Sequence, residues 1–240
     1  MTVDILMTFY DAPELVATTI QSVLNQTYPD WTLTIADDGS AQGLPSDALE
    51  LCADPRITVL RYNTTLQDRR ECVRYAHLIN EMAARTHGEL IAYLAQDDLF
   101  EPDRLERMVA TITAGADVVY GIQRLLDSHG NEFGRRAPMA HDGQDAWHKI
   151  DLNSVLHTRE SFEKAGGWPT DSSLWADADG HAWRRLQACG YHFTLCEGGP
   201  TDAKRFRHES VTECTTNGRE PWDRGWRPEP LAPHTPSWRP

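Results

Sequence analysis

The chain has 240 residues, 40% of them hydrophobic and 25% charged, so it can bury a sizeable core and has an ordinary globular composition. Its formal net charge of −13 argues against a broad nucleic-acid-binding face, which needs clustered Lys and Arg. A single nucleotide remains compatible with that acidity, provided local carboxylates hold a divalent cation against its phosphates.

The chain opens directly on a strand-sized apolar run at residues 3–8. It has no basic leader and no apolar stretch of membrane-spanning length, so neither a signal peptide nor a membrane span is expected, and a cytoplasmic location is. Leu15, Val16, Ile20, Val23 and Leu24 then recur at helical spacing behind Asp11-x-x-Glu14, which reads as a capping box with Pro13 just inside the helix. Further strands are read at residues 31–36, 57–62 and 90–94, with a helix through Val73, Ala76, Ile79, Met82 and Ala83 between the last two. A helix at about 102–114 and a strand at about 117–125 follow. Strands alternating with helices imply an α/β fold with a mainly parallel central sheet flanked by helices.

Beyond residue 126 the pattern loosens. Residues 129–131 and 138–143 read as turn or loop, 154–157 as a short strand, and a helix starts at Thr158 before the turn Gly166-Gly167-Trp168. Another helix is expected over about 179–189 and a strand over 191–195. The last twenty residues hold six prolines and three tryptophans (Trp222, Trp226, Trp238), a composition that excludes regular structure and suits an extended tail laid over the body or a partner. The five cysteines (Cys52, Cys72, Cys189, Cys196, Cys214) form no C-x-x-C pair and read as free thiols.

In a parallel sheet, ligands bind outside the carboxyl ends of the strands. Three such ends are polar here: Thr8-Phe9-Tyr10-Asp11, Asp37-Asp38-Gly39-Ser40 and Gln96-Asp97-Asp98. Together they describe one crevice. Asp97-Asp98 offers the hard oxygen ligands that Mg²⁺ or Mn²⁺ prefers, although Asp pairs in turns also serve to cap a following helix.

Residues 3–40, the block Arg74–Asn80 (RYAHLIN), Gln96-Asp97-Asp98 and Pro102-Asp103-Arg104-Leu105 resemble, in order and spacing, the inverting family 2 glycosyltransferases with the Rossmann-like GT-A fold. Ser154-Val155-Leu156-His157 and the helix at Asp179 extend the resemblance to about residue 210. It implies a domain over 1–215, with a nucleotide-binding half to residue 98, an acceptor half over 99–215 and a tail at 216–240. It further implies that Thr8 and Tyr10 line the base pocket and that Asp38 accepts a hydrogen bond from the base's ring N–H, which uracil and thymine both offer. Arg69 matches an arginine near the nucleotide phosphates, with Arg70 as the alternative. Asp97 falls near the ribose and metal, Asp98 on the metal itself, and the late His208 matches a further metal ligand.

Many family members carry Glu-Asp before a Trp-rich helix, the Asp deprotonating the acceptor hydroxyl. Matching on Trp183 and Arg185 puts Asp179 at the base position and Ala178 in place of the Glu, with Asp177 as the alternative base. Gly167-Trp168 matches a turn beside the donor sugar or serves packing alone, and His181 is expected to be exposed. The implied function is transfer of a sugar from a UDP- or dTDP-sugar to a small-molecule or glycan acceptor, with Mn²⁺ or Mg²⁺ as cofactor. A sugar nucleotidyltransferase would need a Gly-rich basic loop after the first strand, where Thr8–Pro13 has none. An inactive glycan-binding protein would have no need of Asp38, Asp98 and Asp179 together.

Overall fold

The computed structural model describes residues 1–136, 146, 150–174 and 177–206. In chain order the elements are β1 (Val3–Phe9), α1 (Pro13–Leu24), β2 (Trp31–Asp37), α2 (Ser46–Leu51), β3 (Ile57–Arg61), α3 (Asp68–Glu71), α4 (Arg74–Ala83), β4 (Leu90–Ala95), β5 (Leu99–Phe100), α5 (Arg104–Thr113), β6 (Val118–Leu126), β7 (Glu132–Arg136), β8 (Val155–Thr158), α6 (Arg159–Lys164), α7 (Ala178–Ala188) and β9 (Phe193–Arg205). A 3-10 turn, Leu152–Ser154, leads into β8. His208, Cys214 and the tail at 216–240 lie outside the described residues, as does the expected loop at 138–143.

The strands form one sheet in the order β3-β2-β1-β4-β8-β6-β9-β5, with β7 paired to β6. The β1/β2, β1/β4 and β2/β3 ladders are parallel, as the alternating pattern requires, and antiparallel pairing enters with β8 between β4 and β6. β1 and β4 are covered on both faces and read as almost unbroken apolar runs, whereas β2 turns Trp31, Leu33 and Ile35 to the core and alternates them with Thr32 and Thr34. On one face Val3, Ile5 and Met7 pack with Val16 and Ile20 of α1 and Leu105 and Met108 of α5. On the other, Leu6, Ile91 and Tyr93 pack with Ala76, Ile79 and Met82 of α4 and Trp183 of α7.

Two expectations need correction. The capping box does not form: Ala12 is the N-cap of α1 and no side chain caps it. Asp11 instead sits at φ 40 and its carboxylate accepts from the Ala41 N–H at 2.9 Å, so a tertiary contact outcompetes the local one. The last strand runs to Arg205 rather than stopping at residue 195, straight through Gly198-Gly199-Pro200. Its ladder with β6 shifts register around Ile122, which absorbs those breakers. Close approach there depends on Gly121, where an added Cβ would lie 1.6 Å from Thr201 Oγ1. Cys52, Cys72, Cys189 and Cys196 are free thiols, and among the described residues no helix is long and apolar enough to cross a membrane.

Candidate functional site

The ends of β1, β2 and β4 are stitched together by their own polar groups. The Tyr10 N–H donates to Gln96 Oε1 at 2.6 Å, and Gln96 Nε2 donates back to the Tyr10 carbonyl at 3.3 Å. The Asp38 N–H donates to the Phe9 carbonyl at 2.8 Å, and the Asp11 N–H to Ser40 Oγ at 3.0 Å. Gly39 lets the turn after β2 close: it sits at φ +80, and a Cβ there would lie 3.0 Å from the Thr64 N atom.

Asp38 is almost fully buried in this turn and is surrounded by donors. Its Oδ1 accepts from Thr64 Oγ1 at 2.7 Å and from Arg74 Nη2 and Nε at 2.8 and 3.1 Å; Oδ2 accepts from Arg69 Nη1 at 2.5 Å. Arg69 also donates to the Asp38 carbonyl and lays its guanidinium 3.6 Å above the Tyr10 ring. Arg69 therefore lies with the residues expected around the base, whereas Arg70 is exposed. A carboxylate has about four lone-pair directions, so Oδ2, with one donor, keeps room for one more. The sequence reading gave Arg74 no role; its place at the head of the matched block Arg74–Asn80 was the only signal. Replacing Asp38 by Ala would strand the buried guanidinium of Arg69 and the partly buried one of Arg74. We expect D38A to lose roughly 3–5 kcal/mol of stability in urea melts, and an unchanged midpoint would remove the pairing as a structural element.

Asp98 follows β4 and is turned inward. Its Oδ1 accepts from the Arg205 N–H of β9 at 2.8 Å, and its Oδ2 from Asn153 Nδ2. Asn153 also donates through Nδ2 to Asp151 Oδ1 at 2.8 Å and accepts at Oδ1 from the Ala95 N–H at 2.5 Å. Asp151 Oδ2 takes the Lys204 ammonium and lies 3.8 Å from an Arg136 nitrogen. Burial pushes Asp98 well above the usual carboxylate range; Asp97 and Asp151 push the same way, against Lys204 and the Arg205 N–H. Burial would also raise Asp151, but Lys204 and Arg136 outweigh it and hold that carboxyl at about 2.

Asp179 is the second residue of α7, whose N-cap is Asp177. Its Oδ1 accepts from the Gly180 N–H at 2.8 Å, so it is not the cap, and it is half-buried. Burial, then the charge of Asp151, raise its pKa from 3.8 to about 6, against the Gly180 N–H, Lys204 and Arg136. Asp151 and Lys204 thus act electrostatically on both Asp98 and Asp179, and α7 is tied to the chain just before Asp151 by Trp183 Nε1, which donates to the Ile150 carbonyl at 3.0 Å. Tyr75 of α4 borders Asp179: burial raises its phenol strongly, and the Asp179 charge adds to that. Trp168 is buried edge-on against Trp183, 5.4 Å between ring centroids, and Asn80 clamps its backbone through the N–H and the carbonyl, each at 2.9 Å. Gly167-Trp168 is therefore built into the core. Thr8 is half-buried at the end of β1 beside Ala36 and Ala95.

Among the described residues no cluster of three or more His, Cys, Asp or Glu side chains converges on one point. The donor set nevertheless fits a hard cation shared with phosphates. Asp98 is a buried carboxylate with one lone pair spent on each oxygen and two further carboxylates acting on it, and Mg²⁺ or Mn²⁺ often needs only one or two protein carboxylates beside phosphate oxygens. Asp151, Asn153 and Lys204 were not singled out from the sequence.

A model of the family described as "Glycosyl transferase family 2" matches residues 4–173. Protein CgeD of Bacillus subtilis (strain 168) is 32% identical over 196 residues, covering 77% of this chain and 46% of that protein. The Escherichia coli UDP-Glc:alpha-D-GlcNAc-diphosphoundecaprenol beta-1,3-glucosyltransferase WfgD is 28% identical over 131 residues, 53% of this chain and 47% of that protein. The chain thus spans less than half the length of either relative. Among solved structures, S. aureus TarS 1–349 in complex with UDP gives a TM-score of 0.65 at 12% identity, over 86% of this chain and 61% of that one. Mannosyltransferase PcManGT from Pyrobaculum calidifontis in complex with GDP-Man and Mn²⁺ gives 0.59 at 15% identity, over 84% and 56%. At those identities the likeness is one of fold, the GT-A arrangement expected from the sequence. The family match takes in the turns carrying Asp38 and Asp98 and stops before α7, and on its extent the chain belongs to glycosyl transferase family 2.

Proposed function

We propose that the chain is a metal-dependent, inverting glycosyltransferase that moves a sugar from a UDP- or dTDP-sugar to an acceptor hydroxyl. The observation that carries this is the arrangement at the strand ends: buried Asp38 and Asp98 follow β2 and β4, Asn153 joins Asp98 to Asp151, and α7, which carries Asp179 in its first turn, is tied by Trp183 to the Ile150 carbonyl just before Asp151. TarS and PcManGT, which share the fold, bind a nucleoside diphosphate and a nucleotide sugar.

In this reading residues 1–98 hold the nucleotide. Thr8 and Tyr10 border the base, Asp38 Oδ2 accepts its ring N–H, Arg69 braces Asp38 and Tyr10 on the way to the phosphates, and Asp97 lies towards the ribose. Asp98, with His208 as the further ligand the family resemblance implies, would hold Mn²⁺ or Mg²⁺, and the ion would supply countercharge for a diphosphate. Residues 99–215 form the acceptor half. Asp179 takes the proton of the acceptor hydroxyl, whose oxygen attacks the anomeric carbon from the face opposite the diphosphate. The anomeric C–O bond to the diphosphate breaks as the new one forms, and the configuration inverts. The half-buried setting of Asp179 keeps its carboxylate basic enough to do this near neutral pH.

A thermal-shift panel of UDP, dTDP and CDP, with and without Mn²⁺, tests the reading. UDP or dTDP should stabilise the chain more with Mn²⁺ than in chelator, and CDP, whose ring nitrogen lacks a proton, should stabilise it least. Equal shifts for CDP and UDP would remove Asp38 from base recognition.

A further inference from the structure

Lys204 carries the wrong charge for a site that is to receive a divalent cation. It stands on β9 one residue before the N–H that Asp98 accepts, and it is foremost among the charges acting on Asp98. An ammonium and a metal ion would compete for the same carboxylate oxygens. In the structure the ammonium is bonded to Asp151 instead.

That choice is built into the backbone and side-chain geometry. Asp151 caps the turn Leu152–Ser154: its Oδ1 accepts the Asn153 N–H at 3.1 Å and Asn153 Nδ2 at 2.8 Å, leaving Oδ2 to face Lys204. Asn153 has no freedom to flip. Its amide oxygen must meet the Ala95 N–H, so its two N–H groups go to the two carboxylates, one to Asp98 and one to Asp151. A neutral donor therefore stands between Asp98 and Asp151, and the Lys204 ammonium is bonded to the second, with Arg136 3.8 Å from the same oxygen.

Resting on the reading of Asp98 as the cation-holding residue, we infer that Asp151 is a positioning residue: it holds the Lys204 ammonium off Asp98 and so leaves that carboxylate open to the divalent cation of the nucleotide complex.

The test is a calorimetric titration of UDP into the intact chain across a range of Mn²⁺, comparing wild type, D151N, K204M and the double variant. D151N keeps an oxygen for the turn and removes the charge. Lys204 then turns to Asp98, and the Mn²⁺ needed for half-maximal UDP binding should rise by about tenfold or more. Removing Lys204 as well should bring the midpoint back to near wild type, a rescue that a purely structural role for Asp151 does not predict. K204M alone should need no more Mn²⁺ than wild type, which keeps the inference testable if D151N fails to fold. An unchanged midpoint in D151N, a double variant as weak as D151N, or a K204M that needs more Mn²⁺ would each overturn it. Wild-type UDP binding indifferent to both Mn²⁺ and chelator would instead sink the reading of Asp98, and the inference with it. That outcome is distinct from a wild type that follows Mn²⁺ with D151N tracking it.

Discussion

Asp179→Asn should lower kcat by about 10²–10⁴-fold, or roughly 3–5 kcal/mol of barrier, the usual contribution of a positioned general base. The substitution keeps the shape and the acceptor for the Gly180 N–H and removes only the proton-accepting charge. UDP affinity should barely change, because the expected nucleotide residues lie at the ends of β1, β2 and β4 and on α3, away from α7 in sequence. Wild-type kcat/KM should climb with pH through about 6, where the Asp179 carboxyl ionises, and level off above. The sign for stability is the reverse. With its folded pKa raised above 3.8, Asp179 favours the fold while protonated, and that contribution is lost as pH rises towards 6. D179N should therefore melt no lower than wild type at neutral pH. Asp177→Asn is the control and should retain most activity, since Asp177 lies at the cap, one residue before α7. If the two variants exchange behaviours, the base is Asp177. If neither affects turnover, a carboxylate base on α7 must be abandoned.

What could be read in advance follows from where the information lies along the chain. β1 and β4 are apolar runs covered on both faces, and β2 alternates core residues with Thr32 and Thr34; the carboxyl end of each shows as a change to Tyr10, Asp38 or Asp98. A ligand crevice at those ends follows from parallel topology alone. The second half is assembled differently. β5 and β7 are short strands without a long apolar run, and β9 continues past two glycines and a proline because β6 supplies its hydrogen bonds, information that no local window holds. The same applies to the polar network beneath Asp98. Asp151 and Asn153 lie 53 and 55 residues along the chain from the groups they meet, Lys204 and Asp98, and no spacing marks them. Asp11-x-x-Glu14 fails for the complementary reason. The motif is local and well formed, yet Asp11 is pulled out of it by Ala41, thirty residues away.

The second large effect is expected at Asp98. In chelator-free buffer with Mn²⁺, Asp98→Asn should weaken UDP binding by roughly 10²-fold, about 2.7 kcal/mol, if the carboxylate is what joins the cation to the chain. The substitution is not silent for the fold. Both oxygens of Asp98 accept, one from Arg205 N–H and one from Asn153 Nδ2, so an amide must turn its own N–H groups against one of these donors. Some loss of stability, on the order of 1–3 kcal/mol, should accompany the change, and affinity alone cannot separate the two causes. Chelation of the wild type separates them, because it removes the cation without touching the hydrogen bonds. If Asp98 acts through the cation, chelated wild type and D98N should bind UDP with similar affinity, and chelating D98N should cost nothing further, since both changes remove one interaction. If D98N loses affinity again in chelator, the residue supports the nucleotide through the fold and the cation sits elsewhere. Full affinity in chelated wild type would take the metal out of nucleotide binding altogether and leave Lys204 and Arg136 as the cations nearest the network around Asp151.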